Sequence, residues 1–206
     1  MRVLCGSAMS FIEKAMDNAQ LKTNHNAFTG NSHIVQFDDV RFAYKEQEVL
    51  HGVSLELGEG TLTALVGESG SGKSTLAKLL VHYYDLNSGK ITLGGQDITD
   101  MRIEALNDQI SYVSQEQFLF NTTLYENILI GKPDATREEV MAAAEKAQCS
   151  EFLARLPKGI DTMAGDGGKQ LSGGERQRIS LARAILKNAP VIVLGSAIPL
   201  KCRWHI

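Results

Sequence analysis

The chain has 206 residues, 43% hydrophobic and 22% charged, with a formal net charge of −3 and a pI near 6.0; this is enough for one domain with a small inserted subdomain and argues against a broad basic surface for nucleic acid. Cys5, Cys149 and Cys202 are scattered and form no C-x-x-C pair, so neither a zinc site nor a disulfide framework is signalled. No apolar run approaches the ~20 residues of a membrane span, and the opening MRVLCGSAMSFIEK is too soon interrupted by charge for a signal peptide, so a cytosolic chain is expected, joined to a membrane only through a partner.

Residues 1–33 read as a tail or connector. Phe11, Ile12, Ala15 and Met16 recur at helical spacing, and a polar stretch follows; a docking helix and a frayed tail are equally compatible with it. From Ile34 the pattern changes. IVQFDDVRFAY and VLHGVSLEL alternate in part, as half-buried strands do, and TLTALV is a short apolar run that predicts a buried strand ending at Gly67. KSTLAKLLVHYY carries apolar residues at helical spacing, and KITLGG and ISYVSQ read as further strands. After Gln115 helical signals take over. LYENILI is followed by a turn at Gly131 and Pro133, and Thr136 with Glu139 makes a T-x-x-E capping box that opens TREEVMAAAEKAQ. Another helix is predicted from near Ser172 through ERQRISLARAILKN, and VIVL at residues 191–194 predicts a buried strand.

GESGSGKST at residues 67–75 fits G-x-x-x-x-G-K-[ST] between a predicted strand and a predicted helix. The backbone amides of Gly67, Glu68, Ser69, Gly70, Ser71 and Gly72 can curl around phosphate oxygens, aided by the helix N-terminus. Lys73 is expected to reach the β and γ phosphates of ATP, Ser74 to hold Mg²⁺, and Thr75 to complete the cradle. LSGGERQR at residues 171–178 places Ser172, Gly173, Gly174 and Glu175 at another helix start, a second candidate anion site.

With these two motifs about a hundred residues apart, the chain resembles the nucleotide-binding domains of ABC transporters from about Ile34 to Leu194. The resemblance implies an α/β fold, a P-loop NTPase (RecA-like) core with an inserted α-helical subdomain, its C-terminal part missing. Residues 34–116 and 172–194 would form the core, 117–171 the helical signature subdomain, and 195–206 an aberrant tail. It also implies that Tyr44 stacks on adenine, that Gln115 touches Mg²⁺ or the attacking water, and that Ser172, Gly173, Gly174 and Glu175 serve the ATP of a partner domain. QEQFLFNTTLYENI and TMAGDGGKQLSGGE resemble exporters rather than importers. The implied partners are a second nucleotide-binding domain, identical or different, and the transporter's transmembrane domains, on the cytoplasmic side of the membrane; nucleic acid is not implied. A DNA-repair or chromosome-organising ATPase also pairs a P-loop with an LSGG-like motif, but no long heptad run is present.

The family pattern breaks after VIVL, where two carboxylates are expected and the chain reads Gly195-Ser196-Ala197. The later histidine of the family is also unmatched, His205 lying too close after VIVL. ATP binding with very slow hydrolysis is therefore expected, together with an open sheet edge beside the P-loop strand and an unstable isolated chain. A frameshifted or truncated reading of a longer gene accounts for the abrupt change; a divergent, degenerate subunit is the alternative.

Overall fold

The computed structural model describes residues 28–30 and 32–195. The N-terminal amphipathic stretch and residues 196–206 lie outside the described residues. The described chain falls into two compact units, one containing residues up to Gln115 together with 190–195, the other residues 116–189.

In the first unit, strands β1 (Val35–Tyr44) and β2 (Gln47–Leu57) form an antiparallel hairpin. β1 buries Val35, Phe37, Val40 and Phe42. The even-odd alternation slips between Phe37 and Val40, where Asp39 takes φ 42° and the pairing register shifts. That one-residue bulge returns Val40 and Phe42 to the core face. Strand β3 (Ser88–Leu93) pairs with the other edge of β1, and the short β4 (Gln96–Asp97) pairs with β3, giving an antiparallel sheet of order β2-β1-β3-β4.

Helix α1 (Lys73–Leu80) sends Leu76, Ala77, Leu79 and Leu80 into the core cluster that holds the buried residues of β1 and β3. The predicted helix continued through Tyr84; the observed one stops at Leu80. His82 adopts a left-handed φ of 57°, its N–H bonds to the Leu79 carbonyl, and the Tyr83 N–H reaches the Lys78 carbonyl at 2.9 Å. This is a Schellman-type termination, and it throws the rings of Tyr83 and Tyr84 off the helix axis. Helix α2 (Ile103–Gln109) leads into β5 (Ile110–Val113), which runs parallel to β6 (Val191–Leu194), with Ile110 opposite Val191 and Val113 opposite Leu194. All four residues of β6 are buried, as its unbroken apolar run requires.

One expectation is corrected. TLTALV, predicted as a buried strand, forms no strand: Leu62 is 68% and Val66 92% exposed. The parallel sheet among the described residues consists of β5 and β6 alone. A strand exists through hydrogen bonds to a neighbour as much as through its own side chains, and residues 61–66 are paired with no described strand.

The second unit is helical: α3 (Leu124–Leu129), α4 (Arg137–Lys146), the single-turn α5 (Ser150–Leu153) and α6 (Gly173–Lys187). Helices α3 and α4 pack on α6. Residues 116–189, α6 included, form this unit. Three of these helices start with reciprocal capping boxes, at Thr123/Glu126, Thr136/Glu139 and Ser172/Glu175. Only the second was marked as a capping box from the sequence. At the α3–α6 contact the backbones come so close that a Cβ on Gly131 would sit 2.2 Å from the Arg183 carbonyl oxygen.

Asn127 of α3 is fully buried and hydrogen-bonded on every side. Its Oδ1 accepts from the Phe120 N–H (2.9 Å) and from Arg183 Nη2 (3.2 Å). Its Nδ2 donates to the Phe120 carbonyl, the Thr122 hydroxyl and the Thr123 carbonyl. Arg183 Nε also donates to the Asn127 carbonyl (2.8 Å), and burial pulls the guanidinium down to about 10.

Candidate nucleotide-binding site

Every residue of the predicted cradle lies in the first unit, at the start of α1. Gly72 is the N-cap, with φ 84°; a Cβ there would lie 2.6 Å from Leu50 Cδ2 in the buried core. Glycine is demanded twice over, by the left-handed backbone and by the close packing against β2. Ser74 and Thr75 follow in the first turn, where backbone amides have no acceptor inside the helix, so the loop and helix start aim N–H groups and a partial positive charge outward. Gly67, Glu68, Ser69, Gly70 and Ser71 are all exposed.

Lys73 folds back over this loop. Its ammonium donates to the Gly67 carbonyl (2.9 Å), the Glu68 carbonyl (2.5 Å) and the Ser71 hydroxyl (2.9 Å). The three donors of a lysine are therefore matched by three oxygens of the loop it belongs to. A phosphate oxygen would compete with neutral carbonyls for a cation, and a charged acceptor wins that competition.

Tyr44, at the end of β1, is brought to the same place. Its hydroxyl lies 3.4 Å from Thr75 Oγ1. Its ring meets Phe42 at 4.8 Å and 89° and Tyr84 at 5.2 Å and 85°, both edge-to-face. Phe42 and Tyr84 were not anticipated from the sequence; Tyr84 is forty residues on, and only the turn after α1 brings it back. Gln115 is exposed, two residues beyond the end of β5. Gly195 extends the neighbouring β6, its N–H bonding the Val113 carbonyl at 2.6 Å. Gln115 and Gly195 thus follow the carboxyl ends of two paired parallel strands, the usual place for a ligand in an open α/β sheet. Ser74 and Gln115 both supply neutral oxygen donors, which suit Mg²⁺ held mainly by a substrate's phosphates. Among the described residues no cluster of three His, Cys, Asp or Glu side chains is arranged to hold a metal.

The signature residues lie in the second unit. Ser172, Gly173 and Gly174 are exposed at the start of α6. Glu175 Oε2 accepts from both the Ser172 N–H and the Ser172 hydroxyl at 2.8 Å, and Arg155 Nη2 approaches its other oxygen at 3.4 Å. The Ser172 N–H, then its hydroxyl, hold the Glu175 carboxyl below its usual range. In the same unit the backbone of Thr122 and Leu124 pairs with that of Thr162 and Ala164, with Met163 opposite Thr123. The two stretches that resembled exporters in the sequence are thus neighbours. Within the first stretch Phe118 and Phe120 pack edge-to-face at 5.2 Å and both stay exposed, as does Met163 of the second.

A family model described as ABC transporter matches residues 50–197. The ATP-dependent lipid A-core flippase of Legionella pneumophila (strain Paris) is 49% identical over 164 residues, covering 79% of this chain and 28% of that protein. A mycobactin import ATP-binding/permease protein of Mycolicibacterium thermoresistibile is 47% identical over 169 residues, covering 82% of this chain and 29% of that one. Among solved structures, a bacterial Atm1-family ABC exporter with ATP bound superposes with a TM-score of 0.81 at 44% identity, covering 84% of this chain and 30% of that chain. The chain therefore spans under a third of the length of these relatives.

Proposed function

We propose that this chain, which belongs to the ABC transporter family, is the part of an ABC exporter that binds ATP and passes the energy of binding to a membrane partner. The observation that carries the reading is the cradle itself: Lys73, with three loop oxygens around its ammonium, at the amino end of a helix capped by Gly72. Lys73 would exchange those oxygens for the β and γ phosphates, the amides of residues 67–75 would line the phosphate chain, and Tyr44 would face the adenine. Mg²⁺, when bound, would neutralise charge on the β and γ oxygens; Ser74 and Gln115 would hold it. Gln115 would also orient water near the γ-phosphate.

Ser172, Gly173, Gly174 and Glu175 would serve the nucleotide of a second such domain. The exposed Phe118, Phe120 and Met163 offer an apolar patch for a transmembrane domain. Among the described residues no helix is long and apolar enough to cross a membrane, so that contact would be peripheral, on the cytoplasmic side. Residues 34–116 and 172–194 would act as the ATPase core and residues 117–171 as the signature subdomain.

The family is one of ATPases, but a second reading, binding with hydrolysis all but lost, is favoured by Gly195 and Ser196 standing where carboxylates would hold metal and water. Losing a water-activating group costs about 10²–10⁴ in rate. ATP binding and ATPase measured side by side, on the chain and on Lys73→Ala, test both readings. ATP affinity should fall by at least about tenfold in the variant, the scale expected for a lost charge-assisted hydrogen bond. Unchanged affinity would refute ATP binding at this loop, and turnover comparable to that of intact relatives would refute the second reading.

A further inference from the structure

The ammonium of Lys73 is held entirely by its own loop, and one of the three oxygens that hold it belongs to a side chain. It donates to the Gly67 and Glu68 carbonyls and, at 2.9 Å, to the Ser71 hydroxyl. Ser71 reaches this point because residues 68–71 form a tight turn. The Ser71 N–H bonds the Glu68 carbonyl at 3.3 Å, and Gly70 supplies the left-handed third position with φ 85°. The Ser71 hydroxyl then lies only 3.0 Å from where a Cβ on Gly67 would stand, so it spans the loop from its carboxyl limb to its amino limb. In electrostatic terms the loop so arranged is a cation cradle: two carbonyl dipoles and a hydroxyl oxygen converge on one positive charge. A phosphate needs the reverse, with amide N–H groups and the ammonium converging on its oxygens. The loop has to give up the first arrangement before it offers the second. Apparent affinity falls in proportion to the fraction of molecules in the competent arrangement. Ser71 is exposed, and α1 starts at Gly72 without a side-chain cap, so the helix does not depend on this serine.

We propose that the Ser71 hydroxyl is a latch on Lys73: it holds the ammonium inside the loop, biases the loop toward the cation-cradling arrangement, and so sets how readily a polyphosphate enters. Ser71 acts through Lys73 and is a positioning residue. Of the three acceptors it contributes the one that a substitution can delete without altering the backbone. Deleting it strengthens binding, the opposite of what the loss of a ligand contact does. The proposal rests on the reading of this loop as the phosphate site.

The test is surface plasmon resonance of ATP and of inorganic tripolyphosphate over the immobilised wild type, Ser71→Ala, Ser71→Thr and Lys73→Ala. Ser71→Ala should bind both ligands about two- to tenfold more tightly, the range for one exposed hydrogen bond. The gain should lie in the association rate with dissociation unchanged, because the latch exists only before the phosphate enters. Tighter binding also reports that the loop is folded. Ser71→Thr, which retains the hydroxyl, should stay near the wild type. If Lys73→Ala weakens both ligands while Ser71→Ala leaves affinity unchanged or lowers it, the latch is overturned and the reading of the loop stands. The latch is equally overturned if the gain lies in slower dissociation, if it is confined to ATP, or if Ser71→Thr reproduces it. If Lys73→Ala leaves both affinities unchanged, the loop is not the phosphate site and the proposal falls with that reading.

Discussion

Asn127→Ala should be among the most damaging substitutions in the second unit, and the cost can be worked group by group. Five side-chain hydrogen bonds disappear, but their partners fare differently. The Phe120 carbonyl keeps the Thr122 N–H at 2.8 Å, and the Thr123 carbonyl keeps the helical Asn127 N–H at 3.0 Å. The Thr122 hydroxyl keeps the Thr123 carbonyl. What is stranded is the Phe120 N–H and the Nη2 of Arg183. Each unmet buried donor costs about 1–3 kcal/mol, and the vacated space admits a water that recovers part of it, so a loss of about 2–4 kcal/mol is expected. Against a total stability of about 5–15 kcal/mol for an ordinary domain, that is a large fraction. Urea unfolding followed by far-ultraviolet circular dichroism measures it, and a cycle with Arg183→Met isolates the shared part, which should exceed about 1 kcal/mol. A loss under 1 kcal/mol for Asn127→Ala, or strict additivity in the cycle, would show that Arg183 and Phe120 do not depend on this side chain.

Two glycines of the phosphate loop should behave differently. Gly72→Ala meets Leu50 and a φ of 84°, and the left-handed backbone alone costs about 1–2 kcal/mol; both melting temperature and ATP affinity should fall. Gly70→Asn shares a φ of 85° but has no atom near its would-be Cβ, and Asn tolerates that backbone, so stability should hold. Equal behaviour of the two variants in a thermal melt would contradict the packing argument. Acid should selectively weaken the second unit. The Thr123 and Ser172 amides hold Glu126 and Glu175 below the usual carboxylate value of 4.5, Lys132 does so for Glu139, and Arg137 and Lys169 hold Asp161 and Asp166 below 3.8. A depressed folded-state value means stability that is present above the unfolded value and lost as pH falls through the folded one. Helix content should therefore melt at progressively lower temperature once pH drops below about 4.5; a melting temperature that stays flat or rises on acidification would refute this.

Much of the proposed site could be laid out from residue order because the chemistry proposed for it is local. The proposed phosphate loop is nine consecutive residues, and the capping boxes at Thr136 and Ser172 need only four each. Thr123–Glu126 carries the same T-x-x-E pattern, so that cap was also legible. What escaped was non-local. Asn127 and Arg183 are 56 residues apart, and Tyr44 and Thr75 are 31 apart. Asp39 and His82 belong to types enriched at positive φ, but positive φ is uncommon even for them, so residue type alone did not mark these two positions. The TLTALV error has a related origin. An apolar run states that a segment is fit to be a strand, while the neighbour that makes it one is written elsewhere in the chain.

That error bears on how the phosphate loop is held. On its carboxyl side the loop is fixed three times over: Gly72 seats against Leu50, α1 buries Leu76, Leu79 and Leu80, and Thr75 meets the Tyr44 hydroxyl. On its amino side residues 61–66 pair with no described strand, and Val66 stands almost fully in solvent. The carbonyls of Gly67 and Glu68 are instead drawn in by Lys73. On the proposed function Lys73 would have two tasks that compete for one ammonium, gathering the amino limb and meeting the phosphate. A nucleotide that takes the ammonium must itself gather the limb, through amide-to-phosphate hydrogen bonds that replace the ones Lys73 gives up. Burying Val66 under a neighbouring strand would contribute about 1.5–3 kcal/mol toward fixing that limb, and would relieve the nucleotide of part of this work. On the proposed function, affinity for ATP would thus be coupled to whatever covers residues 61–66, although none of their side chains belongs to the proposed phosphate cradle.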